Sequence, residues 1–398
     1  MNKMQTRLVS FLGYAIHNKK VEIDRNENIE WKEIIEESKA HKIEALIYSA
    51  IKNNPINIDK ELLESWKKDT FISGVWQLNH IKSVSNILKI FNKKNIPVIV
   101  LKGLVVRDLF PNPSLRTMCD ADILVKEDNL EDVKKLLTDE GYRETPSSEK
   151  HLNFWKGQTH IEVHWTLSDE GYFDNMPEIE ESIWQDAVEV KVGDANALSM
   201  CDEDLALHLC IHMASHIIHR GFGIRQVVDL VLLVEQKGHL IDWNSFMNKA
   251  RKCGVDKFTV AIFMVCKKLF NMEIPKEVYD SRLEKSKYID ILIDDIFSSG
   301  VHGRKDKGAI FAKELAYTEE NSSVFKKYMA FLFPRVENLN DRYSYAKKYN
   351  VLLLVAWIHH LFAGIFNKEY SFIDKIKFGF GAMSTSKKRN KLTNWLEL

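Results

Sequence analysis

Asp120 and Asp122 flank Ala121 in a run that opens at Arg116 and closes on the apolar tail Ile123, Leu124 and Val125. An alternating acidic pair with such a tail reads as a β-strand. Residues two apart share a face, so both carboxylates can reach one metal site. Two oxygen donors of this kind suit Mg²⁺, which is commonly held by one or two carboxylates and the phosphates of a substrate. Two neighbours strengthen the reading. Lys102-Gly103 ends the preceding apolar stretch, where a glycine lets backbone approach a phosphate and a helix start would attract it. Glu162 stands alone among apolar residues in Ile161-Glu162-Val163-His164-Trp165, and a carboxylate there is costly to bury unless it is paired or coordinates a cation.

These residues need elements to position them. Residues 98–102 are short, apolar and β-branched, the texture of a buried strand, and residues 104–110 read as a short helix stopped by Pro111 and Pro113. A helix is expected over residues 129–140, closed by Gly141, and then two strands, 151–156 and 160–167, joined through Gly157-Gln158 as a hairpin. On both sides the pattern is helical: residues 8–16, 31–51 and 61–92 before it, and 203–219, 224–235, 243–253, 257–270 and 343–366 after it. The expected fold class is therefore α+β, a small mixed β-sheet domain (residues 94–200) between an N-terminal helical region (1–93) and a C-terminal helical domain (201–398). Residues 299–321 are polar and irregular and read as a loop.

Composition narrows the function classes. With 56 basic and 56 acidic side chains the formal charge is zero, so no global field recruits nucleic acid or a membrane, and nucleic acid is an unfavoured partner. The five scattered cysteines lack zinc-site spacing and point to a reduced, cytoplasmic protein. The longest apolar run, residues 351–366, is shorter than the roughly 20 residues of a span and contains His359-His360. It reads as a buried helix, and no membrane partner is expected.

Further along, His208, His212 and His216 recur every four residues, with His219 three later, near one helix face. No glutamate or third ligand accompanies them as zinc would require, so they read as structural or as lining a cleft. Arg225 and Asp229 are also four apart and suggest an intrahelical ion pair. Arg116 is open to two accounts, a pair with a nearby acid or a bidentate phosphate contact. The basic cluster at residues 387–391, with Phe378, Phe380 and Trp395 nearby, reads as a frayed soluble tail.

Taken together, Leu101-Lys102-Gly103, Arg116, Asp120-Ala121-Asp122, Gly141-Tyr142 and the Ile161–Trp165 segment resemble the uncharacterised nucleotidyltransferases of the DNA polymerase beta-like superfamily. The resemblance spans residues 98–233, including His212-Met213-Ala214-Ser215-His216, Arg225 and Asp229, and extends more faintly to Phe333-Pro334-Arg335 and Arg342-Tyr343. It implies a Mg²⁺- or Mn²⁺-dependent enzyme that moves NMP from an NTP substrate to a hydroxyl of a small molecule, protein or RNA end. Asp120, Asp122 and Glu162 would be the catalytic, metal-holding acids. Gly103 would form the nucleotide-binding turn, with Lys102 as a point charge because no hydroxyl follows the glycine. Arg116, His212, His216, Arg225 and Asp229 would line the nucleotide site, with Asp229 orienting His212 or His216. Two other classes stay open: a catalytically silent nucleotide-binding or regulatory protein of the same fold, and a toxin or antitoxin component.

Overall fold

The computed structural model describes residues 1–21, 23, 28–54, 56–145, 151–167, 173–219, 221–301, 333–336, 339, 341–365 and 389–398. Helices α1 (Lys3–Ile16), α2 (Trp31–Ala40) and α3 (Glu44–Ile51) lead into the 34-residue α4 (Lys60–Lys93). Asp59 caps α4 by accepting the Leu62 N–H at 2.9 Å. Asn95, at φ 53°, turns the chain out of α4 in the left-handed conformation that asparagine tolerates. Strand β1 (Ile99–Val100), the short α5 (Gly103–Val106) and β2 (Ala121–Leu124) follow, then α6 (Leu130–Asp139), β3 (Arg143–Thr145), β4 (His151–Lys156) and β5 (Thr159–His164). Helix α7 (Met176–Gln185) and the hairpin β6 (Val188–Val192) and β7 (Ala195–Ser199) complete this part.

The strands form one mixed seven-stranded sheet in the order β3-β4-β5-β2-β1-β7-β6. β2 lies near its middle, parallel to β5 and antiparallel to β1. Beyond the sheet come α8 (Asp202–His219), α9 (Ile224–Lys237), α10 (Trp243–Lys252), α11 (Asp256–Phe270), α12 (Ser281–Glu284) and α13 (Lys287–Ser299). The class is α+β, with helices flanking the sheet domain on both sides. Among the described residues no helix is long and apolar enough to cross a membrane.

Strand alternation sorts the sheet into two unlike faces. Val100, Ile123, Ile161, Val163 and Phe154 turn to one side and pack with Val84, Leu88 and Phe91 of α4 and Val133 and Leu137 of α6. Each such side chain contributes about 1.5–3 kcal/mol by leaving water. Ile99 and Leu124 turn the other way, into a larger cluster built from α1–α3 and α8–α13. Asp122 and Glu162, one residue out of step with Ile123 and Ile161, share that second face, toward the helical body.

Several expectations are corrected. The run expected as a buried helix at residues 351–366 is helical over Leu353–Ile365, but Leu354, Val355, Ile358 and Phe362 are exposed. Residues 31–51 form two helices rather than one, broken where Lys42 takes φ 56°. Hairpin β6–β7 was not foreseen, although Val188, Val190 and Val192 alternate with Glu189 and Lys191 at the period of a strand. The chain end is no frayed tail: residues 389–396 are helical, Leu392 and Leu396 join the larger cluster, Trp395 stacks on Tyr288 at 4.7 Å and Arg389 holds Asp295 at 3.0 Å. The loop expected at residues 299–321 lies outside the described residues from 302 on, as do residues 387–388 of the basic cluster, its aromatic neighbours Phe378 and Phe380, and the side chain of His219.

Candidate active site

Two strands place the acids. Asp122 lies beside Glu162 in parallel register on β2 and β5, so their side chains leave the same face one strand spacing apart. Asp120 immediately precedes β2. Along β5 the same alternation puts His160 and His164 on that face with Glu162, and Trp155, Asn153 and His151 of β4 oppose them. His164 Nε2 lies 3.1 Å from Asp122 Oδ1 and 3.7 Å from Glu162 Oε2. His160 Nε2 lies 3.9 Å from Glu162 Oε1 and 3.0 Å from Asn153 Oδ1, its ring stacked on Trp155 at 4.1 Å. Ligand atoms of Asp120, His160 and Glu162, and of Asp122, Glu162 and His164, lie within 4.8 Å of one another in each set. Carboxylate oxygens and imidazole nitrogens so gathered fit a divalent cation.

The electrostatics match crowded acids. Burial, then the charges of Asp122 and Glu162, push the Asp120 carboxyl up to about 6. Burial also works against the Asp122 charge, but Lys102 and His164 outweigh it and hold that carboxyl well below the usual range. Glu162 is lowered against its own burial, chiefly by the His164 hydrogen bond. His164 is raised despite burial because both acids favour its charged form.

Lys102 reaches the site from an unusual backbone. Its φ of 45° and ψ of −113° fit the first central position of a II′ turn, normally a glycine place, and Leu104 N–H closes that turn on the Leu101 carbonyl at 3.1 Å. Leu101 N–H is donated to the Asp122 carbonyl at 3.0 Å, tying the turn to β2. Lys102 Nζ thereby meets Asp122 Oδ1 at 3.2 Å. Backbone held in such a sparsely populated region costs of order 1–3 kcal/mol and clusters at functional sites.

The left-handed position therefore belongs to Lys102, not to Gly103. The glycine is required for another reason: a Cβ there would collide with Arg116 Nη1 and sit 2.6 Å from Met118 Sδ. The helix after it, α5, has four residues and passes into a 3-10 turn at Arg107–Leu109. It is too short for the helix-start attraction the sequence suggested.

Arg116 and Asp229 find each other across 113 positions. Nε donates to Oδ1 at 3.1 Å and Nη2 to Oδ2 at 2.6 Å, a buried bidentate pair. The pair is the first of the two accounts of Arg116, and no hydrogen bond joins Arg225 to Asp229 among the described residues. The i,i+4 spacing on α9 was a weaker pull than a planar fork from another element. Arg225 instead donates Nη1 to the Thr117 carbonyl, while its Nε has no hydrogen-bond partner among the described residues. His212 and His216 bond to one another through Nε2 at 3.0 Å.

Sequence reasoning missed several groups that border the acids. His160 and His164 were readable from the period-two pattern around Glu162. His208, which the sequence already placed on the histidine-bearing face, is buried, with Lys102, Asp122 and His164 as its charged neighbours, and its Nε2 has no hydrogen-bond partner among the described residues. Burial first, then Lys102, hold it near 3. His80 on α4 is buried beside Asp120 and His160 and is lowered to about 4, mainly by burial. Arg107 is buried near Arg116, its Nε 3.9 Å from Asp108 Oδ1 and without a hydrogen bond among the described residues. No local signal marks His80 or Arg107.

With this geometry in place, family and fold likenesses can be set beside it. The chain belongs to the family described as uncharacterised nucleotidyltransferase, whose model matches residues 27–271. Among curated proteins no relative matches. Solved structures similar over less than half of the chain include the following three. The antibiotic-resistance factor ANT(2'')-Ia in solution is 11% identical, covering 41% of this chain and 87% of its own at a TM-score of 0.32. A crystal structure of ANT(2'')-Ia in complex with adenylyl-2''-tobramycin is 12% identical, covering 43% and 98% at 0.34. An antigenic nucleotidyltransferase-like protein from Paracoccidioides brasiliensis is 14% identical, covering 44% and 88% at 0.30. Overlaps this faint say nothing of what this chain acts on.

Proposed function

We propose that the chain is a divalent-metal-dependent nucleotidyltransferase that moves NMP from an NTP to a hydroxyl-bearing acceptor. The observation that carries this reading is the gathering of Asp120, Asp122 and Glu162 on one sheet face, with their ligand atoms in two groups that share Glu162. Family membership supports nucleotidyl transfer in general. Asp120, Asp122 and Glu162 would hold Mg²⁺ or Mn²⁺. Ions bound there supply charge stabilisation for the attacking and leaving oxygens of an in-line displacement.

The chain's own residues do the remainder. The acceptor oxygen forms a bond to the α-phosphorus, the bond to the β-phosphate oxygen breaks and pyrophosphate leaves. The acceptor proton passes to a carboxylate oxygen of the triad or through it to solvent. Lys102, already positioned at Asp122, turns its ammonium to the phosphates as a point charge. Arg225, buried without an acid bonded to it among the described residues, presents its guanidinium to the same chain of phosphates. Arg116 and Asp229 are engaged with one another and act as the floor beneath Gly103.

A second reading has a specific observation behind it. Lys102 and His164 both lie on Asp122 Oδ1, so the site can neutralise itself, as a silent nucleotide-binding protein would. One experiment separates the two. Each α-labelled NTP is incubated with the protein, cell extract as the source of acceptors, and Mg²⁺ or Mn²⁺, beside the Asp120→Asn plus Asp122→Asn variant. Metal-dependent label transfer lost in the variant supports the enzyme. NTP binding without transfer, indifferent to a chelator, supports the silent protein and defeats the first reading.

A further inference from the structure

The metal-holding carboxylates do not stand alone on their face. His160, Glu162 and His164 alternate along β5, so the pleat that points the acid at Asp120 and Asp122 points both imidazoles there too. Donor atoms on a sphere of about 2.1 Å radius lie about 3.0–3.4 Å apart at octahedral to tetrahedral angles. His164 Nε2 is 3.1 Å from Asp122 Oδ1 and 3.7 Å from Glu162 Oε2, close to that spacing. The nitrogen now shared with Asp122 through a proton is the nitrogen that would carry an ion. Exchanging the proton for a cation needs only tenths of an ångström of movement. His160 Nε2, 3.9 Å from Glu162 Oε1, closes a second and looser set with Asp120.

An independent feature points to a ligand at the same place. His208 on α8 is 4% exposed, and its Nε2 has no hydrogen-bond partner among the described residues. Its charged neighbours are Lys102, Asp122 and His164. A buried polar atom is ordinarily satisfied, and an unpartnered one against this cluster marks room for a group the protein chain does not supply.

We propose that His160 and His164 are metal ligands in their own right, giving two nitrogen–oxygen sets, Asp120–His160–Glu162 and Asp122–His164–Glu162, bridged by Glu162 and suited to a first-row transition ion over Mg²⁺. The inference rests on the metal-dependent reading above and deepens it by naming the class of ion. Purely oxygen sites suit Mg²⁺, whereas imidazole favours the transition metals. Nucleotide transfer in this chain then runs on Mn²⁺ or a neighbouring ion.

The test is direct ion binding, without nucleotide or acceptor. Mn²⁺ and Mg²⁺ are titrated calorimetrically into the full chain and into His164→Gln, His160→Gln, His164→Glu and Asp120→Asn plus Asp122→Asn. The expected result is a Mn²⁺ affinity lowered on the order of ten- to a hundredfold in each glutamine variant, with Mg²⁺ affinity changed far less. In His164→Glu the preference moves back toward Mg²⁺. Pulsed electron paramagnetic resonance of Mn²⁺ on the unmutated chain reads nitrogen coupling from bound imidazole and needs no variant to fold. Absence of that coupling, or an unchanged Mn²⁺-to-Mg²⁺ ratio in both glutamine variants, overturns the proposal. If ion binding is lost in the aspartate variant but untouched in the histidine variants, the acid site stands and the histidine ligands fall. If the unmutated chain binds neither ion, both fall.

Discussion

Asp229 and Asp122 are both buried acids bonded to cations, yet they are built for opposite ends. Asp229 gives each of its oxygens to one nitrogen of the Arg116 fork, at 3.1 and 2.6 Å. Burial alone would weaken the Arg116 charge, but Asp229 outweighs it and holds the guanidinium above its ordinary value. Asp122 has two donors, Lys102 and His164, crowded on a single oxygen, and Asp120 and Glu162 press like charge upon it. The fork commits both Asp229 oxygens to one planar partner. Two separate donors on a single oxygen beside competing acids can each be exchanged, which separates a structural pair from a site.

The largest expected effect falls on the exchangeable side. Asp120→Asn plus Asp122→Asn should lower metal-dependent transfer by roughly 10³-fold or more, the several kcal/mol that bound ions contribute. Circular dichroism should show the fold intact, and a variant that transfers at the original rate breaks the comparison. On the closed side, Asp229→Ala strands a buried guanidinium and should cost about 3–5 kcal/mol in urea unfolding. A loss below about 1 kcal/mol would mean that Arg116 has another partner ready.

Smaller effects sharpen the contrast. Gly103→Ala forces a methyl group against Arg116 and Met118 and should destabilise by about 1–3 kcal/mol, read as a fall in Tm. Acidity should pull the two neighbouring acids in opposite directions. Asp120 has a raised carboxyl, so its protonated form is favoured in the folded chain and that stability is lost as the pH rises from about 4 through about 6. Asp122 has a lowered one, and its contribution, present above the usual carboxylate range, is lost as the pH falls below it. In metal-free buffer Asp120→Asn should therefore raise the urea midpoint above pH 6 and leave it unchanged near pH 4, while Asp122→Asn should lower it at pH 7. Least of all, Lys39→Ala removes a 2.7 Å pair with Asp69 in which both partners are nearly half exposed. It should cost under about 1 kcal/mol, although its distance rivals that of the Arg116 fork.

What could be read from the residues follows from the range of the forces involved. Asp120, Asp122 and Glu162 were legible because an acid inside an apolar strand is an exception that local pattern exposes. The hairpin through Gly157-Gln158 and the helices around α8 to α11 were legible for the same reason. His164 is two residues from Glu162 and shares its face, but a histidine in an apolar strand is commonly a satisfied core residue, so the pattern alone gave it no role. The partner of Arg116 was out of reach, since nothing near position 116 names position 229 and the local spacing nominated Arg225. The strain at Lys102 was equally hidden, because a lysine before a glycine gives no hint that it takes the turn position a glycine would normally fill.

The larger apolar cluster unites Leu8 and Leu12 of α1 with Leu392 and Leu396 at the other extreme of the sequence. The cluster on the other face of the sheet draws, among the described residues, on positions 81 to 197. During synthesis the sheet and its α4 backing can therefore settle while the ribosome is still at work, whereas the helical body gains its last buried side chains only when Leu392 and Leu396 emerge. Contacts of such long sequence separation close slowly. The acids on their sheet face are thus made early and kept open to water until α8 and α9 arrive, bringing His208, Arg225 and Asp229.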